Sequence, residues 1–387
     1  MQRRAFLASM AAFAPSLARA AKDPAVKDAH PVPAPAALEL STVTLEGGKM
    51  YGRSSPAVVA LPKGRAKGEK FPLLVLLPGG EHTMQKRDHG CWGWWSDFKL
   101  GDTEAALRRG TLTDADLGGF ATEAQRLDLG GRLAHRPWRG MVIVTPFILR
   151  RQTQLEPHGA MVTPFLRALV EWARKELPVF GDRASTGLGG ISASGAWVLW
   201  SGPQLADLFG ALVAVQPYTD GYEKPITKML KARSAPQAMR LVTSLGDRLH
   251  KPTVALVEAL GKDGIAVDHA AYAGPHAPSF AAGVGGVEML LSMEERLVRP
   301  EVKAAPSAVP SASAVPLPTA SASVAPVVAP SSAASPGAPA TPSRWPRIAL
   351  GSAAVAVAGG TAAFWWKTRR KAAPPDDPPA SGGEPGA

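Results

Sequence analysis

The chain has 387 residues, with 43 Lys and Arg against 32 Asp and Glu and a formal net charge of +11. The excess sits at the ends: residues 21–303 carry 34 basic and 29 acidic side chains, too even a balance for the concentrated basic face that nucleic-acid binding needs. Because Cys91 is the single cysteine, an intrachain disulfide and a cysteine-ligated zinc site are both excluded.

The first twenty residues place Arg3-Arg4 ahead of an apolar stretch from Ala5 to Ala18 and close on Ala18-Arg19-Ala20. About fourteen apolar residues are too few to cross a hydrocarbon core of roughly 30 Å as a helix. A charged start, an apolar centre and a small-residue end describe a secretory signal cleaved after Ala20. Arg3-Arg4-Ala5-Phe6-Leu7 resembles the twin-arginine signal of a route that exports folded cargo, the alternative being an ordinary signal whose two arginines are simply its positive start.

Residues 35–303 are long enough for one α/β domain. Leu38 to Leu45 alternates apolar with polar, Gly47-Gly48 follows, and a second extended stretch ends at Leu61-Pro62, a pattern that predicts a β-hairpin. Buried strands are then expected over residues 72–77, 141–146, 185–191, 211–215, 239–245 and 268–272. Helices are expected over 159–177, 196–205, 252–262 and 287–297. Strands alternating with helices imply an α/β fold, a mostly parallel sheet covered on both faces.

The interval 81–139 breaks this rhythm and is expected to be a functional loop or lid inserted in the domain. It holds Trp92, Trp94 and Trp95, which either wall an acyl or aromatic substrate pocket or form the insertion's own core. His82, Asp88 and His89 match no metal-ligand spacing, so a solvated loop is expected there and no metal or other cofactor.

The chemistry is carried by Gly190-Ile191-Ser192-Ala193-Ser194-Gly195, which joins a predicted strand to a predicted helix. A serine in such a sharp turn needs small neighbours so that strand and helix can pack closely, and Gly190, Ser194 and Gly195 supply them. This segment resembles the nucleophile elbow of the α/β-hydrolase superfamily, in particular the esterases grouped around esterase D, feruloyl esterases and polyester depolymerases. Their elbow usually reads G-x-S-x-G-G, and Ser194 stands where glycine is usual. The resemblance covers most of residues 38–300 and implies the α/β-hydrolase fold and a serine esterase with Ser192 as nucleophile.

A serine hydroxyl is a weak nucleophile and needs an imidazole to take its proton and a carboxylate to orient that imidazole. The order implied by the fold is serine, acid, histidine, each after a strand. Gly246-Asp247 follows the strand over 239–245, with Asp220 as the runner-up acid. Ala273-Gly274-Pro275-His276 follows the last strand and resembles the G-x-H segment of these esterases. His269 lies on a strand, and His250 follows the acid too closely to be the last member. Leu76-Leu77-Pro78-Gly79-Gly80-Glu81-His82 resembles the family's oxyanion loop, with proline in place of a frequent histidine. By that resemblance the Gly80 N–H and the Ala193 N–H would form the oxyanion hole.

Residues 304–343 hold Ala, Pro, Ser and Val with hardly another residue type and no charge, a composition that predicts an extended linker. Residues 348–366 form an apolar run long enough to span a bilayer, flanked by Trp345, Trp365 and Trp366 and followed by the basic cluster Lys367-Thr368-Arg369-Arg370-Lys371. That cluster predicts a short cytoplasmic tail over 367–387 and a domain held on the extracytoplasmic face of the cell membrane. The sequence thus reads as an exported, membrane-tethered serine esterase acting on a small-molecule or polymeric ester. An acyltransferase of the same fold and a non-catalytic tethered binding protein are its rivals.

Overall fold

The computed structural model describes residues 35–50, 53–84, 87–149 and 155–300, so the signal, linker, membrane span and tail expected from the sequence lie outside the described residues. Among the described residues no helix is long and apolar enough to cross a membrane. Eight strands, β1 (Leu38–Met50), β2 (Arg53–Pro62), β3 (Leu73–Leu77), β4 (Val142–Pro146), β5 (Thr186–Ile191), β6 (Ala211–Val215), β7 (Ala238–Ser244) and β8 (Asp268–Tyr272), form one sheet. Their order is β1-β2-β4-β3-β5-β6-β7-β8. β1 and β2 form the antiparallel hairpin, with Leu38 opposite Pro62, and β2 pairs antiparallel with β4. All pairings from β4 to β8 are parallel.

Because side chains alternate faces along a strand, one run of apolar residues feeds two cores. On one face Leu73, Val75, Leu77, Leu188, Leu212, Ala214, Met239 and Leu241 meet the helices α5 (Leu155–Glu176), α6 (Ala193–Gln204), α7 (Glu223–Lys231) and α8 (His250–Lys262). On the other, Leu74, Leu76, Ile143, Val213 and Val242 meet α2 (Gly93–Ser96), α3 (Leu100–Arg109), α4 (Glu123–His135), α9 (Pro278–Ala282) and α10 (Val284–Arg296). Central strand β5 carries Gly187 and Gly189 on the α10 side. A Cβ there would lie 2.6 and 2.5 Å from the sulfurs of Met293 and Met289, so the two glycines let α10 seat its methionines against the sheet.

The six strands after the hairpin and the four expected helices fall within a few residues of their predicted positions. Helix α5 begins four residues earlier than the apolar rows suggest, and Pro157 is tolerated in its first turn, where the missing N–H has no helical partner to lose. Helix α7 was not foreseen: its apolar residues Ile226, Met229 and Leu230 keep helical spacing, but among Lys224, Lys228 and Lys231 they make a stripe only two turns long. The interval 81–139 is not an open loop or lid. Its helices α1 (Arg87–Gly90) to α4 bury Leu100, Ala106, Leu107, Leu129 and Leu133 as half of one helical layer, and Thr122 caps α4 reciprocally with Gln125.

Candidate active site

Ser192 lies between β5 and α6 with φ 58° and ψ −122°, a backbone conformation that L-residues avoid at a cost of order 1–3 kcal/mol. Three backbone bonds hold it there. Its N–H donates to the Val215 carbonyl (3.0 Å), and its own carbonyl accepts from Tyr218 N–H (2.9 Å) and Ala196 N–H (3.4 Å). Crowding explains the small neighbours. A Cβ on Gly190 would sit 2.8 Å from the Ser194 carbonyl oxygen, and one on Gly195 would sit 2.9 Å from Pro217 Cα.

The turn presents the Ser192 hydroxyl to His276, with Oγ to Nε2 at 3.0 Å. The imidazole's other nitrogen, Nδ1, donates to Asp247 Oδ2 at 2.7 Å, and Asp247 Oδ1 accepts the Leu249 N–H at 2.8 Å. The carboxylate side chain is fully buried while the imidazole is one-third exposed, so the line runs from the interior to the surface. Asp247 follows β7 and His276 follows β8, so the sheet brings together residues 55 and 84 positions beyond Ser192 in the chain. The runner-up acid, Asp220, is exposed in a turn after β6, and the His276 imidazole faces Asp247. His250 contacts Thr243 at 3.4 Å at the start of α8. His269 lies on β8, where burial and the neighbouring His250 and Arg240 charges hold its imidazole below the ordinary histidine value.

Gln216, which sequence reasoning passed over, braces the histidine loop. It is buried at the end of β6 with φ 44°, and its amide donates to Ser244 Oγ (2.5 Å) and to the Pro275 carbonyl (2.9 Å). A polar residue closing the apolar run over 211–215 was the available signal. Tyr218 also lies beside the turn, with the Arg248 guanidinium 5.7 Å from its ring centre.

On the other side of Ser192, the Pro78-Gly79-Gly80 turn leaves β3. A Cβ on Gly79 would lie 3.6 Å from Ile191 Cγ2 and 3.2 Å from Phe98 Cζ, which places this turn directly against the elbow. Ala193 opens α6, so its N–H belongs to the first turn, where helix amides have no partner within the helix. Trp94 and Trp95 take the second of the two roles the sequence left open. Both are buried, Trp94 donating to the Leu77 carbonyl and Trp95 to Thr145 Oγ1, while Trp92 is half-buried. His82 is also buried and donates from Nε2 to Asp97 Oδ2 at 2.7 Å. Burial pushes the Asp97 carboxyl up, but the His82 and Ser96 hydrogen bonds and the His82 and Lys99 charges outweigh this and leave it below the usual range. Among the described residues no three His, Cys, Asp or Glu side chains converge to hold a metal ion.

Comparison with solved structures finds a ferulic acid esterase at 18% identity and a TM-score of 0.52, covering 68% of this chain and 99% of that one. A ferulic acid esterase from Anaeromyces mucronatus matches at 14% identity and 0.47, covering 66% and 92%. An S-formylglutathione hydrolase from Staphylococcus aureus matches at 10% identity and 0.44, covering 67% and 99%. No protein-family model matches the sequence, and no curated protein matches it. The likeness is one of fold: the mostly parallel eight-stranded sheet with helices on both faces is shared with the first of these structures.

Proposed function

We propose that the protein is a serine esterase that cleaves a carboxylic ester through an acyl-enzyme formed on Ser192. The observation that carries this reading is the continuous line from a strained, half-exposed serine through His276 to a buried Asp247. In this reading His276 Nε2 takes the Ser192 proton as Oγ attacks the ester carbonyl, and Asp247 holds the imidazole by Nδ1 and stabilises its positive charge. The Gly80 and Ala193 N–H groups donate to the carbonyl oxygen as it gains negative charge. The imidazolium then protonates the departing alcohol, and a water activated by the same nitrogen releases the acid. The composition of the chain's ends supports placing this enzyme outside the cytoplasmic membrane on a single C-terminal span.

Covalent labelling with a fluorophosphonate, followed by hydrolysis of p-nitrophenyl esters of graded acyl length, tests the reading. The full-length protein should label once per chain and turn over at least one ester. Ser192→Ala should do neither, and labelling that survives in that variant would move the nucleophile elsewhere.

A further inference from the structure

The residue that departs from the usual elbow pattern, Ser194, does more than stay small. Its side chain is completely buried, and its hydroxyl donates to the carbonyl of Pro78, 116 positions earlier, in the turn that would carry the oxyanion donor. A glycine there could make no such bond. The Pro78 carbonyl is one of four consecutive carbonyls held in the same way. Leu77 O accepts from Trp94 Nε1 at 3.0 Å, Gly79 O from Thr83 N–H at 3.3 Å, and Gly80 O from Thr83 Oγ1 at 2.6 Å.

A peptide unit is planar and trans, so its C=O and the next residue's N–H point in opposite directions within one plane. Fixing the carbonyls of Pro78, Gly79 and Gly80 therefore fixes the N–H groups of Gly79, Gly80 and Glu81: Thr83 holds the plane of the Gly80 N–H, Ser194 holds the plane before it, and Trp94 anchors the Leu77–Pro78 peptide, which carries no N–H. Without these bonds the two glycines would leave the turn free to rotate its amides, because neither has a Cβ to restrict its backbone. The clamp is anchored on the nucleophile's own helix: Ser194 is two residues past Ser192, so the turn and the attacking oxygen share one rigid reference.

We propose that Ser194 is a positioning residue that ties the 78–80 turn to the nucleophile helix and so aims the backbone amides at the oxyanion, with Trp94 and Thr83 completing the clamp. This rests on the serine-esterase reading above. An oxyanion donor contributes only as charge develops on the carbonyl oxygen, so a loosened turn should slow chemistry and leave ground-state substrate binding alone.

The test compares wild type, Ser194→Ala and Trp94→Phe, the last keeping an aromatic ring but losing the pyrrole half of the indole and its N–H. For each, the rate constant of fluorophosphonate labelling, kcat and KM on one p-nitrophenyl ester, and Ki for a trifluoromethyl ketone and the matching methyl ketone are measured. Loss of a whole oxyanion donor costs about 10²–10³ in kcat, so loosening one should cost about tenfold. The expected signature is that fall in labelling rate and kcat with KM unchanged. The trifluoromethyl ketone, which forms a charged tetrahedral adduct, should weaken in parallel with kcat, and the methyl ketone should not. Labelling should still reach one per chain in both variants. If Ser194→Ala fails to fold, Trp94→Phe carries the same prediction. Wild-type kinetics in the folded variants, or equal weakening of both ketones, would overturn the clamp while leaving the esterase reading intact. Absence of any labelling in the wild type would remove both.

Discussion

Replacing Gly190 with alanine puts one methyl group at the junction on which the site depends. Its Cβ would lie 2.8 Å from the Ser194 carbonyl oxygen, 3.0 Å from the Ser194 carbonyl carbon and 2.9 Å from Val198 Cγ2. Two of those three atoms are backbone of α6, so no side-chain rotation relieves the contact. To restore an ordinary separation of about 3.4 Å the helix must retreat by about 0.6 Å relative to β5. That retreat carries Ser192 with it, and also Ser194, whose hydroxyl is bonded to Pro78. Overpacking of this kind costs about 1–3 kcal/mol, which in a domain of this size lowers the melting temperature by on the order of 5 °C. A misplacement of about 1 Å at a reacting group costs on the order of 10²-fold in rate, so a shift of roughly half that should cost about tenfold. Labelling rate, kcat and thermal unfolding of Gly190→Ala should be read beside Gly181→Ala, where a Cβ meets nothing within 4 Å. If the two variants behave alike, the close strand-to-helix contact does not set the position of Ser192.

Asp247→Asn should lower kcat by about 10²-fold or more, and His276→Ala by more still, on the non-additive pattern of residues that act as a unit. Asp220→Asn should leave kcat near wild type, and a crippled Asp220 variant would transfer the acid role to the β6 end of the sheet. Glu288 is fully buried on α10 and accepts from Arg240 (2.5 Å), Arg132 (3.1 Å), Ser292 (3.1 Å) and the Tyr272 hydroxyl. Burial pushes its carboxyl up, but the Arg240 and Arg132 charges and the Arg240 and Tyr272 hydrogen bonds bring it below the ordinary glutamate value. A depressed folded-state value makes its stabilisation complete above the unfolded-state value and progressively lost as pH falls through the folded one. Glu288→Gln should therefore destabilise by about 3–5 kcal/mol at neutral pH, and the gap to wild type should narrow in urea melts run in acid; a constant gap would refute the linkage. Deleting residues 344–387 should move esterase activity from the membrane pellet to the supernatant, and activity that still pellets after a high-salt wash would place the tether elsewhere.

Local pattern was enough to reveal most of the architecture. Strands buried on both faces read as unbroken apolar runs, and β3, β4 and β6 were visible for that reason. The elbow was legible because its requirement is local: two chain segments meet at one strained residue, and Gly190 and Gly195 record the crowding. Asp247 and His276 could be named because each follows a strand of recognisable pattern, although nothing in the sequence measures the distance between them.

Three things were decided only by the tertiary structure. The pairing of Asp247 rather than Asp220 with His276 depends on β7 lying beside β8, a long-range register that no local spacing encodes. Trp94 and Trp95 could equally have lined a cleft or filled a core. Burial and the indole bonds to Leu77 and Thr145 made them core, because an indole enclosed by the fold must find an acceptor for its N–H. The hydroxyl of Ser194 looks in sequence like a tolerated deviation from glycine. Only when β3 and the elbow are brought side by side does it meet the Pro78 carbonyl, since a hydrogen bond between residues 116 apart exists through the fold alone.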